Sequence, residues 1–260
     1  MTLEVCCTDI EAVLAAKEGG ADRVELCSNI EADGLTPDCQ LVREAAETGL
    51  RVHVLIRPRE GNFVYNEGEK RQMLDDIRMA RQCGAHGVVV GALTPSGDLD
   101  VPFCQQMVEE AHGMSLTFHR AFDVCRDYRQ AFGQIQEMGF HRLLTSGQAP
   151  KAQEGLEIIR ELVGLSQQWH AAHPLQPRLI VMPGSGVSSL NASEILAETG
   201  ATEIHGTLRE RVDGQLRTTA QEVKRTKDRI ETEKTNKIET EKTNKIENRN
   251  NKQISEHKSE

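Results

Sequence analysis

The chain has 260 residues, 38% of them hydrophobic and 27% charged, and a formal net charge of −9. That acidic balance excludes general nucleic-acid binding, which needs a basic face, and no stretch approaches the ~20 apolar residues of a membrane span. The N-terminus, "MTLEVCC", lacks a basic region followed by an apolar run, so no secretory signal is expected. A reducing, cytoplasmic setting follows, in which seven cysteines, an odd number, read as thiols rather than as a disulfide framework.

The first strand is expected at "LEVCC" (3–7), and Thr8 with Glu11 has the spacing of a capping box for the helix after it. "GGADRVEL", from Gly19, ends that helix on glycine and runs into the second strand. Thr36-Pro37 puts proline at the first position of the next helix. "RVHVLIR" (51–57) is the third strand, and Asn66 with Glu69 repeats the box pattern. "CGAHGVVV" from Cys83, "SLTFHR" (115–120), "MGFHRLLT" from Met138, "RLIVMP" (178–183) and "TGATEIHG" from Thr199 supply strands four to eight. A last helix is expected over about 218–229, covering the final strand.

The phrase of helix, glycine and strand occurs four times, at intervals of about 60 residues, twice the length of one strand-plus-helix unit. About eight such units in residues 1–225 imply an α/β fold with a parallel sheet, closed as a (β/α)8 TIM barrel. Residues 226–260 contain no aromatic residue, glycine or proline. There "RIETEKTN", "KIETEKTN" and "KIENRNNK" bring an isoleucine every eight residues: Ile230, Ile238, Ile246 and Ile254. Eight residues drift ~80° around a helix, so these isoleucines make no stripe. The segment is expected to be a disordered low-complexity tail rather than a coiled-coil arm.

Strand side chains alternate. The apolar members, such as Val5, Val24, Val54 and Phe118, are expected to face the helices. Glu4, Cys6, Glu25, Cys27, Arg57, His119, Glu203 and His205 then point into the barrel. Buried charges need partners, and Arg57 with Arg120 are the expected counter-ions of the glutamates. "TFHRAFD" (117–123) ends the fifth strand with His119 turned inward, towards Glu25 and His205, and leaves Arg120 and Asp123 on the rim. The loops after the strands carry function in such barrels. "RPREGNFVYNEGE" has the length and aromatic content of a lid. "TSGQAP", with Ser146 and Gly147, and "PGSGV", with Gly184, Ser185 and Gly186 ahead of a helix at Ser188, offer backbone N–H groups to an anion.

In order and spacing, "LEVCC", "GGADRVELC", "GLTP", "IRPR", "TFHRAFD", "LTSG", "PGSGV" and "EIHG" resemble the CutC family of copper homeostasis proteins, from about residue 2 to 210. The resemblance implies a (β/α)8 barrel, a cytoplasmic homodimer, and copper ligands at Cys6 and Cys27 with Cys7 as a third. Two inward thiolates suit Cu(I), a soft ion that accepts few ligands. The other cysteines, Cys39, Cys83, Cys104 and Cys125, read as packing residues. The chain departs from the family pattern at Thr8-Asp9, at Glu60 and Asn62, in a shorter segment between "HGTLRE" and "VDGQL", and in its repeat tail.

Three functions are compatible with this reading. The first is a copper protein using Cys6 and Cys27, with His119 or His205 as an extra ligand. The second is an enzyme acting on a small anionic or phosphorylated molecule. There His119 or Glu25 would be acid or base, and Arg57, Arg120 and His205 would line the site with the "PGSGV" amides. The third is a scaffold that has lost activity.

Overall fold

A computed structural model describes residues 1–232 of the chain. The repeat of the octad tail from residue 233 onward lies outside the described residues. Strands and helices alternate as β1 (Thr2–Cys7), α1 (Ile10–Glu18), β2 (Arg23–Leu26), α2 (Cys39–Glu47), β3 (Arg51–Leu55), α3 (Glu67–Gln82), β4 (Gly87–Val90) and α4 (Val101–Glu110). There follow β5 (Ser115–Phe118), α5 (Tyr128–Glu137), β6 (Arg142–Thr145), α6 (Leu156–Ala172), β7 (Ile180–Pro183), α7 (Ala192–Thr199) and β8 (Glu203–Gly206). A hairpin, β9 (Arg209–Val212) and β10 (Gln215–Thr218), and a helix α8 over residues 220–232 complete the described chain.

The eight strands pair in parallel in the order β7-β6-β5-β4-β3-β2-β1-β8, and β7 lies beside β8 at the seam. The result is a near-closed (β/α)8 barrel, as the repeat implies. The register sets Glu4 beside Arg23 and His205, and Cys6 beside Glu25. Leu3, Val5, Cys7, Val24, Leu26, Val52, Val54, Val88, Val90 and Phe118 all belong to the large apolar cluster between barrel and helices. Cys6, Cys27, Leu55 and Val89 form a separate small cluster inside the barrel. The two-residue alternation of strands is thus the whole basis for which groups enter the interior.

Helix starts follow capping chemistry, with three displaced from their expected places. Asn66 and Glu69 make the full capping box of α3. In α1 the cap is Asp9, whose carboxylate accepts from Ala12 N–H at 2.8 Å, while Thr8 donates its hydroxyl to Asp9. In α2 it is Asp38, accepting from Leu41 N–H at 2.9 Å, so Pro37 lies just outside the helix. A carboxylate one or two residues on outcompetes threonine for the N–H groups. The helix after "PGSGV" begins at Ala192, four residues later than expected, with Ser188 N–H bonded to the Asn191 side chain instead.

Two further findings correct the sequence reading. Cys39 and Cys83 are joined in a disulfide, so not all seven cysteines are free thiols. Their side chains meet because α2 and α3 lie side by side on the barrel's outside, a closeness that a 44-residue separation does not announce. The closing helix also runs to residue 232, past its expected end near 229. Ile230, counted above among the tail isoleucines, is fully buried in the main core with Val223. Ser189 N–H and Oγ both donate to Glu222, at 2.7 and 2.9 Å, and so fasten α8 to the barrel.

Closing a 44-residue loop removes chain entropy from the unfolded state worth about 4 kcal/mol. Replacing Cys39 and Cys83 together by serine is therefore expected to destabilise the protein by up to about 4 kcal/mol in urea unfolding. Dithiothreitol should lower the stability of the wild type by the same amount and leave the double variant unchanged.

Candidate metal and ligand site

The barrel interior is built in tiers. The lowest is ionic. Arg23 donates from Nε to Glu4 and from Nη2 to Glu203 at 2.6 Å, and Arg142 donates from Nε to the same Glu203 oxygen at 2.7 Å. All four side chains are largely shielded from solvent, and Glu4 is wholly so. Burial alone would raise the Glu4 carboxyl, but the Arg23 guanidinium and the His205 hydrogen bond hold it well below the usual carboxylate range. Arg23 and Arg142 are thus the counter-ions that the sequence reading assigned to Arg57 and Arg120.

Above this tier lie the soft and acidic groups. Cys6 Sγ and Cys27 Sγ are 3.5 Å apart. Ligand atoms of Cys6, Glu25 and His205 all lie within 4.8 Å of one another. His205 Nδ1 is 2.8 Å from Glu4 Oε1, and its Nε2 is 3.7 Å from Glu25 Oε2. Burial opposes charge on His205, but Glu25 and Glu4 outweigh it and raise the imidazole's pKa. Burial raises Glu25. The Cys6 thiol is pushed up by its hydrogen bond to Cys27 and by burial. A carboxylate that holds one ring nitrogen of a histidine while the other faces thiols and acids is the orientation found around bound metals.

The upper tier opens into a cavity of about 500 Å³ at the C-terminal end of the strands, where barrels of this class carry their sites. Arg57 and His119 line it, with Phe63 of the long loop after β3 lying against both. His119 enters because residue 91 is glycine: a Cβ there would come within 2.6 Å of the imidazole. His119 Nδ1 accepts from Ala121 N–H at 3.2 Å. Burial, aided by the nearby Arg57 charge, lowers its pKa to about 3, so the ring is neutral with its proton on Nε2. It lies against Phe63 and lines the same cavity as Glu25 and His205, with no hydrogen bond to either.

The other expected site residues divide. Arg120, Ser185, Gly186 and His205 border the cavity, as do Cys6 and Glu25, whereas Gly184 packs behind against Leu144 and His205. Ser146 and Gly147 do not line the cavity. Asp123 takes up Ser146 N–H and Oγ at 3.0 and 2.9 Å, and Gly147 N–H binds Thr145 Oγ1 at 2.9 Å. Arg120 Nε joins the same Asp123 at 2.8 Å, so the Arg–Asp pair of "TFHRAFD" braces the loop after β5 onto the loop after β6. Cys7 lies on the helix-facing side of β1, in the apolar core, because it is one residue out of phase with Cys6; it cannot be a third ligand there. Arg23 and Arg142 were missed. Each sits at the start of its strand and has the inward parity of Glu25 and Leu144, which is the signal that locates them.

Fold and site together define a (β/α)8 barrel with a polar interior and a thiol pair beneath its mouth. The sequence matches the CutC family over residues 1–210. A CutC family protein of Bacteroides thetaiotaomicron is 44% identical over 216 residues, covering 82% of this chain and 83% of the relative. The chain belongs to the CutC family. Among solved structures, the CutC of Streptococcus agalactiae, which bears the name of a copper homeostasis protein, superposes with a TM-score of 0.73 at 33% identity. That match covers 80% of this chain and 98% of the other. Thiamine phosphate pyrophosphorylase of Pyrococcus furiosus, at 18% identity and a TM-score of 0.57 over 89% of this chain and 96% of its own, shares the fold alone. No helix among the described residues is long and apolar enough to cross a membrane.

Burial lowers the pKa values of His53 and His119 to about 3, whereas in the unfolded chain each takes up a proton near pH 6.5. Their contribution to stability is present above the unfolded value and is lost as pH falls from about 6.5 towards 3. His119→Asn keeps an acceptor for Ala121 N–H. In urea titrations between about pH 4 and 5.5 it is expected to reduce the slope of unfolding free energy against pH by about 1.4 kcal/mol per unit.

Proposed function

We propose that the protein binds Cu(I) as cargo through Cys6 and Cys27, in the copper homeostasis role that the family carries in its name. The observation that supports this most directly is the approach of two buried free thiols to 3.5 Å inside a barrel, beside an imidazole and a carboxylate. Soft thiolates select Cu(I) over the harder divalent ions, and low coordination lets two sulfurs with one nitrogen suffice. His205 supplies that nitrogen from Nε2, with Glu4 steadying the ring through Nδ1. Cys6 borders the cavity, so an ion reaches the pair from the mouth, while Cys27 is fully enclosed behind it. The same reading takes the protein to be a cytoplasmic homodimer.

Anaerobic Cu(I) titration against a competing chelator is expected to give one tightly bound ion per chain in the wild type. Cys6→Ser combined with Cys27→Ser should abolish it, and His119→Asn should leave it intact. An absence of stoichiometric binding in the wild type, or equal binding by the double cysteine variant, contradicts the reading.

A further inference from the structure

Arg57 is a buried cation that pairs with no carboxylate among the described residues. Its Nη1 donates to the carbonyls of Ala32 and Gly34 at 2.6 and 3.0 Å, and its Nη2 donates to that of Gly61 at 3.0 Å. Only 4% of its surface is exposed. Carbonyl oxygens satisfy its N–H groups but carry no net charge, and a buried ion without a counter-charge is costly. Of its two remaining N–H groups, Nε–H is buried with no protein partner. Phe63 covers one side of the guanidinium, 5.2 Å from Cζ to the ring centre, and water is held off further.

Two other side chains on the same cavity show the same deficit. His119 Nε2 carries the proton of a neutral ring and has no acceptor, although the residue is 96% buried by its 4% exposure. Arg209 Nε, on β9, is buried and likewise without an acceptor. All three residues line the one cavity of about 500 Å³, which lies within the size range of small-molecule sites. The unmatched groups there are three donors, two of them on cations. What completes them is rich in acceptors and negatively charged.

We propose that the upper cavity is a binding site for a small organic oxyanion, a carboxylate or phosphate ester, its charge set against Arg57 and Arg209 and one of its oxygens accepting from His119 Nε2–H. The site draws on residues other than the thiol pair, though Cys6 borders the same cavity, and it does not depend on copper. Arg57 is its anchor, since the three carbonyls fix the guanidinium in place before any ligand arrives, which lowers the cost of ordering. His119 acts in it as a donor, because its Nδ1 lone pair is already spent on Ala121.

The test titrates malonate and inorganic phosphate separately into the full chain, at ionic strength held constant with chloride, by calorimetry and by thermal melting. At least one probe is expected to bind with 1:1 stoichiometry and to raise Tm. Arg57→Met should remove binding, while Arg209→Met and His119→Asn should each weaken it about tenfold. These last two substitutions spare the fold: Arg209 is half-buried, and asparagine still caps Ala121 N–H. They therefore decide the matter if Arg57→Met fails to fold. Phosphate binding alone identifies phosphate esters as the ligand class, and malonate binding alone identifies carboxylates. The chain with both Cys6 and Cys27 changed to serine should bind the same probe as the wild type does, so failure at the copper site leaves this result standing. Binding of neither probe overturns the proposal, as does unchanged binding in both Arg209→Met and His119→Asn.

Discussion

Arg23 ties the barrel together where its first strand meets its last. Its guanidinium reaches Glu4 on β1 and Glu203 on β8 from its own place on β2, and so links three neighbouring strands from inside. A barrel interior is ordinarily filled with branched apolar side chains. Here it is filled at its base by two guanidiniums and two carboxylates, with Arg142 completing the set from β6. Such a group is stable only as a whole, since removing one member leaves a buried charge unpaired. What it confers is position. Glu4 is held as a carboxylate, and that carboxylate fixes His205, whose other face meets Cys6 and Glu25.

The site follows from that floor upward. Soft donors and acids gather on β1, β2 and β8, over Arg23, whereas Arg57 and His119 enter from β3 and β5 on the far side. Phe63 lies against both the guanidinium of Arg57 and the imidazole of His119, at 5.2 and 4.9 Å from its ring centre. It covers part of the guanidinium and of the imidazole, both of which are almost fully buried. Around such buried groups both interactions with a ligand and penalties for unmatched donors grow. The two proposed sites share one cavity, which both Cys6 and Arg57 line, but draw on separate residues.

Much of this was legible in the residues. Four glycine-capped strand entries led to the barrel because glycine stops a helix and strand periodicity restarts after it. The alternation along "LEVCC" and "RVEL" correctly put Glu4, Cys6 and Glu25 inside. It also separates Cys7 from Cys6, a consequence that the expected third ligand ignored. Arg23 escaped notice because it follows directly on the turn "GGAD" and reads as a boundary residue, although its parity matches that of Glu25. The Cys39–Cys83 bond and the commitment of Ser146 to Asp123 depend on how neighbouring units lie against each other. A one-dimensional pattern carries no measure of that. The caps at Asp9 and Asp38 were one and two residues from their expected places, since several nearby oxygens compete for the same N–H groups.

The central claim is that the inward thiol pair is a soft-metal site, and the identity of the atoms around a bound ion tests it most directly. Copper K-edge X-ray absorption on the wild-type protein loaded anaerobically with Cu(I) should show two sulfur neighbours and one imidazole nitrogen. With His205→Gln, the imidazole signal should disappear while both sulfurs remain. A spectrum containing only nitrogen and oxygen neighbours would contradict the account, because it would place the ion away from Cys6 and Cys27.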